Sequence, residues 1–301
     1  MFTRVLLGGL MALALAVPPA PAAQWLSYSE PDFDLYGDAS RRQVADVIQN
    51  MQVYRYARDA VLPKLRGSDV IRPRVFVLSG STFAKYAGTR RNVAGFVSSS
   101  DFGVDIVVDA SCADWTGTSS TIQHELTHYY LHQSSSFALP VWYDEGLAEY
   151  LSTIDISKGK LRVGFPAAAR WVDLQELSWM PLREMFKVSR GSEAYTGHRG
   201  ARVFYAQSWL LTHYLLSIGG EDARAVGLMV AHIDQGSRVD DAIQAAFGDG
   251  FAAFEERVRK YARPTKFRIA QLDKPDLPDL RTRIVEIDEA RAMNEMLMFG
   301  M

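Results

Sequence analysis

Apolar residues recur at helical or strand spacing through most of the first half of the chain. Between residues 38 and 60 the spacing predicts an amphipathic helix. Runs at Arg74–Leu78, Val93–Val97 and Gly103–Val108 predict strands, and a Ser-rich segment between the last two predicts a hairpin connection. The first lobe is therefore expected to begin with a helix, followed by a strand, a short helix and two more strands. The apolar positions of the first predicted helix are Val44, Val47, Ile48, Met51, Tyr54 and Ala57.

Two further helices are predicted in the middle of the chain. The first runs from Ser119 to about Gln133, with Thr118 or Ser119 as its N-cap, because hydroxyl side chains satisfy free N–H groups at a helix start. The second begins near Pro140, since proline is tolerated in a first helical turn, and runs to about Leu151.

Beyond Gly164 the pattern is mostly helical. The last segment carries several prolines and many charges before a short helical pattern, which is typical of an appendage. The predicted helices of this half are 203–218, 221–232, 237–247 and 250–262. The predicted organisation is a signal segment (1–22), an N-terminal α/β lobe (23–153), a helical C-terminal lobe (154–262) and a C-terminal appendage (263–301).

The first 22 residues have the pattern of a secretory signal. Arg4 precedes an apolar run from Val5 to Val17, and small residues at 20–22 offer a cleavage site. The protein is therefore expected to be exported, to the periplasm or the medium, with no stable membrane insertion after cleavage. The single cysteine, Cys112, does not follow the apolar run, which excludes a lipoprotein anchor there and any intramolecular disulfide.

Composition adds little to this picture. The chain is 48% hydrophobic and 23% charged, as in an ordinary globular protein. Its formal net charge of -2 gives no indication of a nucleic-acid partner, so none is expected.

The strongest chemical signal is the HExxH pattern formed by residues 124–128 on a predicted helix. His124 and His128 are four residues apart and share one helical face, so both imidazoles can reach one metal ion. Glu125 projects about 100° around the helix from His124. It lies beside the metal, where a carboxylate can accept a proton from water as a general base.

Catalytic zinc usually has three protein ligands and one open position, so a third ligand is needed, and the candidates are Glu145, Glu149 and His132. His132 continues the stripe of the two histidines, but it lies about 12 Å along the helix from His124 and is expected to be a structural or surface residue. Glu145 follows His128 by 17 residues, on the next predicted helix, and the connecting loop is long enough to fold that helix back. Helix geometry therefore favours Glu145.

Two more acidic residues lie on the same predicted helix. Glu149 is one turn beyond Glu145 on the same face, where it can accept the second ring N–H of His124 and so support the ligand from the second shell. The alternative for Glu149 is a solvated position on the helix surface. Asp144 precedes Glu145 on the other side of the helix, where it could also support a ligand or equally be a cap or a surface charge.

The HELTH pentapeptide followed by the run WYDEGLAEY, from Trp142 to Tyr150, resembles the gluzincin metallopeptidases, and more narrowly their bacterial peptidase-MA-like members. The resemblance extends over roughly residues 70–260. It implies that Glu145 is the third zinc ligand and that Glu149 supports His124. It also implies an α+β, zincin-like fold, with a small mixed sheet over the HExxH helix, a helical C-terminal lobe and a cleft between them.

The same resemblance implies a tyrosine or histidine in the helical lobe that stabilises the oxyanion of the tetrahedral intermediate. Tyr205 is the candidate for this role, although it could equally be a packing residue. Tyr195 and His198 are the alternatives.

Zincin-like folds also pair an extended substrate with an edge strand along the cleft. Gly95 and Phe96, in the predicted strand Val93–Val97, are the candidate substrate-binding residues, and an ordinary strand with a glycine bulge is the alternative. A Gly-x-Met-Glu-Asn motif, which captures the substrate amino terminus in related aminopeptidases, is absent from the sequence.

These observations predict a secreted zinc-dependent metallopeptidase that acts on a peptide or protein, as an endopeptidase rather than an aminopeptidase. One alternative is a zinc hydrolase that cleaves an ester or a cell-wall amide. Another is a catalytically silent binding or assembly protein with the same fold, which docks a protein partner through the C-terminal appendage.

Overall fold

The computed structural model describes residues 24–62, 72–87, 95–100, 103–111, 115–134, 139–217, 223–263, 267, 269–277, 280 and 283–297. The predicted signal segment 1–22, the first two residues of the predicted strand Val93–Val97 and Cys112 lie outside these ranges. Within them, no helix combines the length and the apolar character needed to cross a bilayer.

The first part of the described chain contains both strands and helices. They are β1 (Trp25–Glu30), β2 (Phe33–Gly37), α1 (Arg41–Val61), β3 (Arg74–Leu78), α2 (Gly80–Ala87), β4 (Gly95–Ser100), β5 (Gly103–Asp109), α3 (Trp115–Ser134) and α4 (Val141–Leu151).

The later part is mostly helical, with short strands at both of its ends. Its elements are β6 (Asp155–Ser157), β7 (Lys160–Val163), α5 (Ala168–Glu176), α6 (Leu182–Met185), α7 (Glu193–Thr196), α8 (His198–Ser217), α9 (Ala223–Asp234), α10 (Val239–Phe247), α11 (Phe251–Tyr261), β8 (Ala270–Asp273), β9 (Val285–Ile287) and α12 (Glu289–Leu297).

The main sheet has the strand order β4-β5-β3-β2-β1-β9 and is mixed. Strands β2, β3 and β5 are parallel, whereas β4 runs antiparallel to β5 and β1 antiparallel to β2. Together with the helical C-terminal region, this sheet makes the protein a mixed α+β structure.

Both faces of the main sheet are covered, as expected when alternate residues of a strand point to opposite sides. Val75 and Val77 of β3 pack in the same core as residues of α1 and α3. Phe76 of β3 packs on the other side with Ala292 and Met296 of α12. Helix α1 begins where Ser40 and Gln43 form a capping box. The core that α1 and α3 share with β3 holds both helices against the sheet.

The helical C-terminal region packs around α8, which crosses α4 at close range. Gly146 of α4 permits this approach, because a Cβ atom there would lie 2.5 Å from the Ser208 carbonyl oxygen of α8. Trp142 of α4 and Trp209 of α8 are fully buried in the core between these helices and α5, α6 and α9–α11. Helix α4 therefore touches both halves of the fold.

Several predicted boundaries differ from the structure. The first lobe does not begin with a helix, because the β1–β2 hairpin precedes α1. Helix α3 begins at Trp115, so Thr118 and Ser119 lie inside it and are not its N-cap. The β6–β7 hairpin interrupts the region 154–262, which was predicted to be helical.

The prediction that residues 263–301 form an appendage is wrong for the described part of that segment. Strand β8 pairs with β7, and β9 joins the main sheet beside β1. Helix α12 then buries Ala292 and Met296 against Trp25 and Phe76. This segment is part of the N-terminal core.

Candidate metal centre

Helix α3 presents two imidazoles on the face that points away from the sheet. Ile122 and Leu126 are buried in the sheet core, whereas His124 and His128 lie beside Glu145 of α4. His124 Nε2 and His128 Nε2 lie 3.1 Å apart, and each side chain is about one-sixth exposed, at 16% and 15%. The predicted pairing of the two histidines is thus present in the fold.

Helix α4 brings a carboxylate to the same point. Glu145 Oε2 lies 3.4 Å from His124 Nε2 and 3.3 Å from His128 Nε2. The side chain is 1% exposed, and this Oε2 atom has no hydrogen-bond partner among the described residues. Three ligand atoms from three residues therefore converge, and this group could hold a metal ion.

The three groups perturb one another electrostatically. Burial raises the pKa of Glu145, but the adjacent imidazoles outweigh this effect and lower it to about 2. Burial lowers the pKa of His128, but its contacts with Asp144 and Glu145 outweigh that effect and raise it to about 10. A proton and a metal ion would therefore compete for the same imidazole nitrogen.

Of the alternatives open for Asp144, the structure excludes a cap and a surface charge. Its side chain is 1% exposed, and its Oδ1 lies 2.9 Å from His128 Nδ1. Its Oδ2 lies 3.1 Å from Nε2 of His132, which is a surface residue with a 54% exposed side chain. Despite the effect of burial, these imidazoles hold the pKa of Asp144 far below its usual value. Asp144 thus orients His128.

Glu149 occupies the position predicted for it beside His124. Its Oε1 lies 3.7 Å from His124 Nδ1, a charge contact slightly longer than a hydrogen bond. The same oxygen accepts a hydrogen bond of 2.7 Å from Arg170 Nη2 of α5. Arg170 also lies over the Tyr205 ring, 5.0 Å from its centroid.

Glu125 and Tyr205 face one open pocket beside the two histidines. The pocket is also lined by His124, Glu149 and Arg170. Burial, the Glu145 carboxylate and a hydrogen bond with Tyr195 raise the pKa of Tyr205 well above its usual range. Its hydroxyl therefore keeps its proton and remains a hydrogen-bond donor at neutral pH.

The two alternatives to Tyr205 occupy different positions. The Tyr195 hydroxyl donates a 2.7 Å hydrogen bond to Glu145 Oε1, the oxygen that faces away from the imidazoles. His198 is exposed at the first residue of α8. Among the three candidates, Tyr205 is the one that lines the pocket with Glu125.

Gly95 and Phe96 lie at the start of β4, one of the two edge strands of the main sheet. A Cβ atom at Gly95 would lie 2.6 Å from the Val107 carbonyl oxygen, so close packing against β5 accounts for the glycine. The Phe96 ring packs 6.0 Å from Phe83. Both residues also line a small recess that reaches Glu125.

One known family matches the part of the chain that carries this site. Residues 118–226 match a family described as "Protein of unknown function (DUF1570)". The matched range includes the HExxH pattern, Glu145 and Tyr205. No curated protein is significantly similar to the chain.

Sequence reasoning missed two arginines of the DUF1570-matching region. Arg170 contacts Glu149 across 21 positions, and Arg190 contacts Asp144 across 46 positions. Neither contact follows a helical or strand period, so no local pattern indicates it. The burial of the α4 carboxylates, which makes partners necessary, is itself known only from the structure, so the sequence held no signal for either arginine.

Proposed function

We propose that this protein is a zinc-dependent hydrolase of the metallopeptidase type, with His124, His128 and Glu145 as the zinc ligands. The spacing of the three ligand atoms carries the proposal. Tetrahedral zinc with bonds of about 2.0–2.2 Å places neighbouring ligand atoms about 3.3–3.6 Å apart. The two separations from Glu145 Oε2, 3.4 and 3.3 Å, lie in this range, and the 3.1 Å between the two imidazole nitrogens is slightly shorter. The hydrogen-bond capacity of Glu145 Oε2, which no described residue uses, supports the same assignment.

Zinc bound there would act as a Lewis acid that acidifies a water molecule and polarises a carbonyl group. Glu125 lines the adjacent pocket and would accept the proton of that water, then transfer it to the leaving amine. The Tyr205 hydroxyl would donate a hydrogen bond to the carbonyl oxygen as negative charge develops on it. Asp144 and Glu149 would hold the two imidazoles in orientation.

A peptide substrate is supported by the position of the edge strand. Strand β4 runs antiparallel to β5 at the margin of the sheet, and its residues Gly95 and Phe96 line a recess that reaches Glu125. An extended peptide added to this edge would pass beside the proposed general base. We therefore propose a zincin-like fold, a gluzincin enzyme of the peptidase-MA-like kind and an endopeptidase mode of action.

The test compares zinc content and hydrolysis in two variants of α3 and one control variant of α5. Glu125→Gln should keep one zinc per chain but lose activity by a factor of about 100 to 10,000, because a neutral amide cannot take the proton. His128→Ala should lose the zinc. Glu176→Gln, a change at an exposed glutamate of α5, is the matched control and should keep both properties.

The substrates of this test should include peptides, simple esters and cell-wall fragments. Normal turnover by Glu125→Gln, or a wild-type protein that binds no zinc, would overturn the proposal. Hydrolysis of esters or cell-wall amides alone would keep the zinc chemistry and overturn the assignment to peptide bonds.

A further inference from the structure

The two oxygens of the Glu145 carboxylate have different surroundings. Oε2 faces the imidazoles of His124 and His128, whereas Oε1 accepts a 2.7 Å hydrogen bond from the Tyr195 hydroxyl. Arg190 Nη1 lies 3.5 Å from the same Oε1. Two side chains from outside α3 and α4 thus occupy the oxygen that points away from the proposed zinc.

Arg190 connects the members of this arrangement. Its Nη2 donates to Asp144 Oδ2, and its Nη1 donates a 3.3 Å hydrogen bond to the Tyr195 hydroxyl oxygen. A donor on that oxygen polarises the phenol and strengthens the bond that Tyr195 donates to Glu145. One guanidinium therefore contacts two adjacent buried carboxylates and the tyrosine.

Electrostatic attraction also favours the contact of Arg190 with the two carboxylates. Asp144 and Glu145 are neighbours in sequence, and each side chain is 1% exposed, so α4 places two negative charges side by side in a buried position. Arg190, whose side chain is 49% exposed, contacts both of them while part of it remains in water. Without this cation, repulsion between the carboxylates would favour rotation of the Glu145 side chain.

Arg190 and Tyr195 lie in the segment 186–195, which packs against the helices beside the site at both of its ends. At one end Phe186 packs edge-on against Trp142 of α4, with ring centroids 5.2 Å apart. At the other end Tyr195 packs against Phe204 of α8 at 6.0 Å. These two ring contacts hold the segment beside Glu145.

We infer that Arg190 and Tyr195 are positioning residues that hold Glu145 by Oε1, so that it binds the metal through Oε2 alone. This inference rests on the proposed function. A carboxylate released from these contacts can rotate and bind a metal ion through both oxygens, which adds a ligand atom and closes the position that the substrate needs. Neither residue touches the substrate in this role.

The experiment uses Tyr195→Phe, Arg190→Gln and Arg190→Lys in the full-length protein. Zinc affinity is measured by competition with a chromophoric chelator, and the zinc is then replaced by Co²⁺. Tyr195→Phe and Arg190→Gln should weaken zinc binding by a factor of about 10 to 100. Their Co²⁺ forms should absorb visible light more weakly, because five-coordinate Co²⁺ absorbs less than four-coordinate Co²⁺. Arg190→Lys should recover part of both losses, since it keeps the charge but not the fork of donors.

Two control variants match these changes in chemistry. Arg183 is also 49% exposed and pairs with Asp240 away from the site, so Arg183→Gln should leave zinc affinity and the Co²⁺ spectrum unchanged. Tyr86 donates its hydroxyl to Met293, and Tyr86→Phe should likewise have no effect.

The outcomes separate this inference from the proposed function. A wild-type protein without zinc affinity would overturn both. Zinc binding by the wild type, together with wild-type affinity and spectra in Tyr195→Phe and Arg190→Gln, would overturn the positioning role and leave the zinc site in place. A weaker affinity with an altered Co²⁺ spectrum in both variants would support it.

Discussion

His128 Nδ1 lies 2.9 Å from Asp144 Oδ1, and this contact turns the opposite ring nitrogen, Nε2, toward His124. The carboxylate comes from α4, the same helix that supplies Glu145, so one helix delivers a candidate ligand and orients another. Asp144 also accepts from Arg190 and from His132. Its negative charge is therefore shared by three cationic or potentially cationic groups.

The first prediction concerns that charge. Asp144→Asn keeps the shape of the side chain but removes the charge that orients His128, so zinc affinity should fall by a factor of about 10 to 100. Chelator competition measures the change. Asp105→Asn is the control, because Asp105 is another buried carboxylate paired with an arginine, Arg74, on the main sheet. Equal zinc affinity in the Asp144 variant and the wild type would contradict this role.

The second prediction separates the two neighbouring tyrosines. Tyr205→Phe should lower kcat by a factor of about 100 or more and change zinc affinity much less than Tyr195→Phe does, because the Tyr205 hydroxyl lines the substrate pocket and reaches Glu145 only through Tyr195. Tyr195→Phe should instead weaken zinc binding, since its hydroxyl bonds Glu145. Peptide hydrolysis and chelator competition, measured on both variants, check the contrast. An unchanged kcat in Tyr205→Phe would mean that this residue only packs.

The residues of the site differ in how far the sequence can predict them. His124, Glu125 and His128 follow from the helical period, and Glu145 from the need for one more ligand on the next helix. The burial of Asp144 could not be predicted in the same way. It depends on Arg190, which reaches α4 from 46 positions along the chain. A charged residue is buried only when such a partner exists, and a local pattern does not contain the partner.

The strands and helices also differ in how far the sequence can predict them. Strand β3 begins and ends at the predicted residues, because its continuous apolar run is buried on both faces. Strand β9 has no such run: all three of its residues are exposed or half-buried. It belongs to the sheet because it pairs with β1, more than 250 positions earlier in the chain. The short helix α12 buries only a few residues, among them Ala292 and Met296. Its many charged residues therefore look, in the sequence, like those of an unpacked C-terminal tail.

The third prediction tests the contact between α4 and α8. Gly146→Ala adds a Cβ atom that would clash with Thr212 Oγ1 and with the Ser208 carbonyl oxygen. It should lower the free energy of unfolding by at least about 1–3 kcal/mol. Adding Thr212→Ala should recover part of this loss, because it removes Thr212 Oγ1, the nearest of the three atoms that lie within 3.0 Å of the added Cβ. Denaturant unfolding of the metal-free protein measures both changes.

Gly227 provides the matched control for this prediction. It lies within α9, and a Cβ atom there would meet no atom within 4 Å. Gly227→Ala should therefore leave the stability unchanged or raise it by about 0.5–1 kcal/mol through helix propensity. A Gly146→Ala variant as stable as Gly227→Ala would mean that α4 and α8 are not packed this closely.

The last prediction tests whether the C-terminal segment belongs to the core. Met296 of α12 is 1% exposed and packs with Trp25 and Phe76 beneath the main sheet. Met296→Ala leaves a cavity there and should lower the free energy of unfolding by about 2–5 kcal/mol. Asn294→Ala, at an exposed position of the same helix, should change it by less than about 0.5 kcal/mol. An appendage would tolerate both substitutions equally, so a Met296 variant with wild-type stability would restore that interpretation. A selective loss at Met296 would instead mean that the same core supports the segment, the sheet and, through the sheet, the helix that carries His124 and His128.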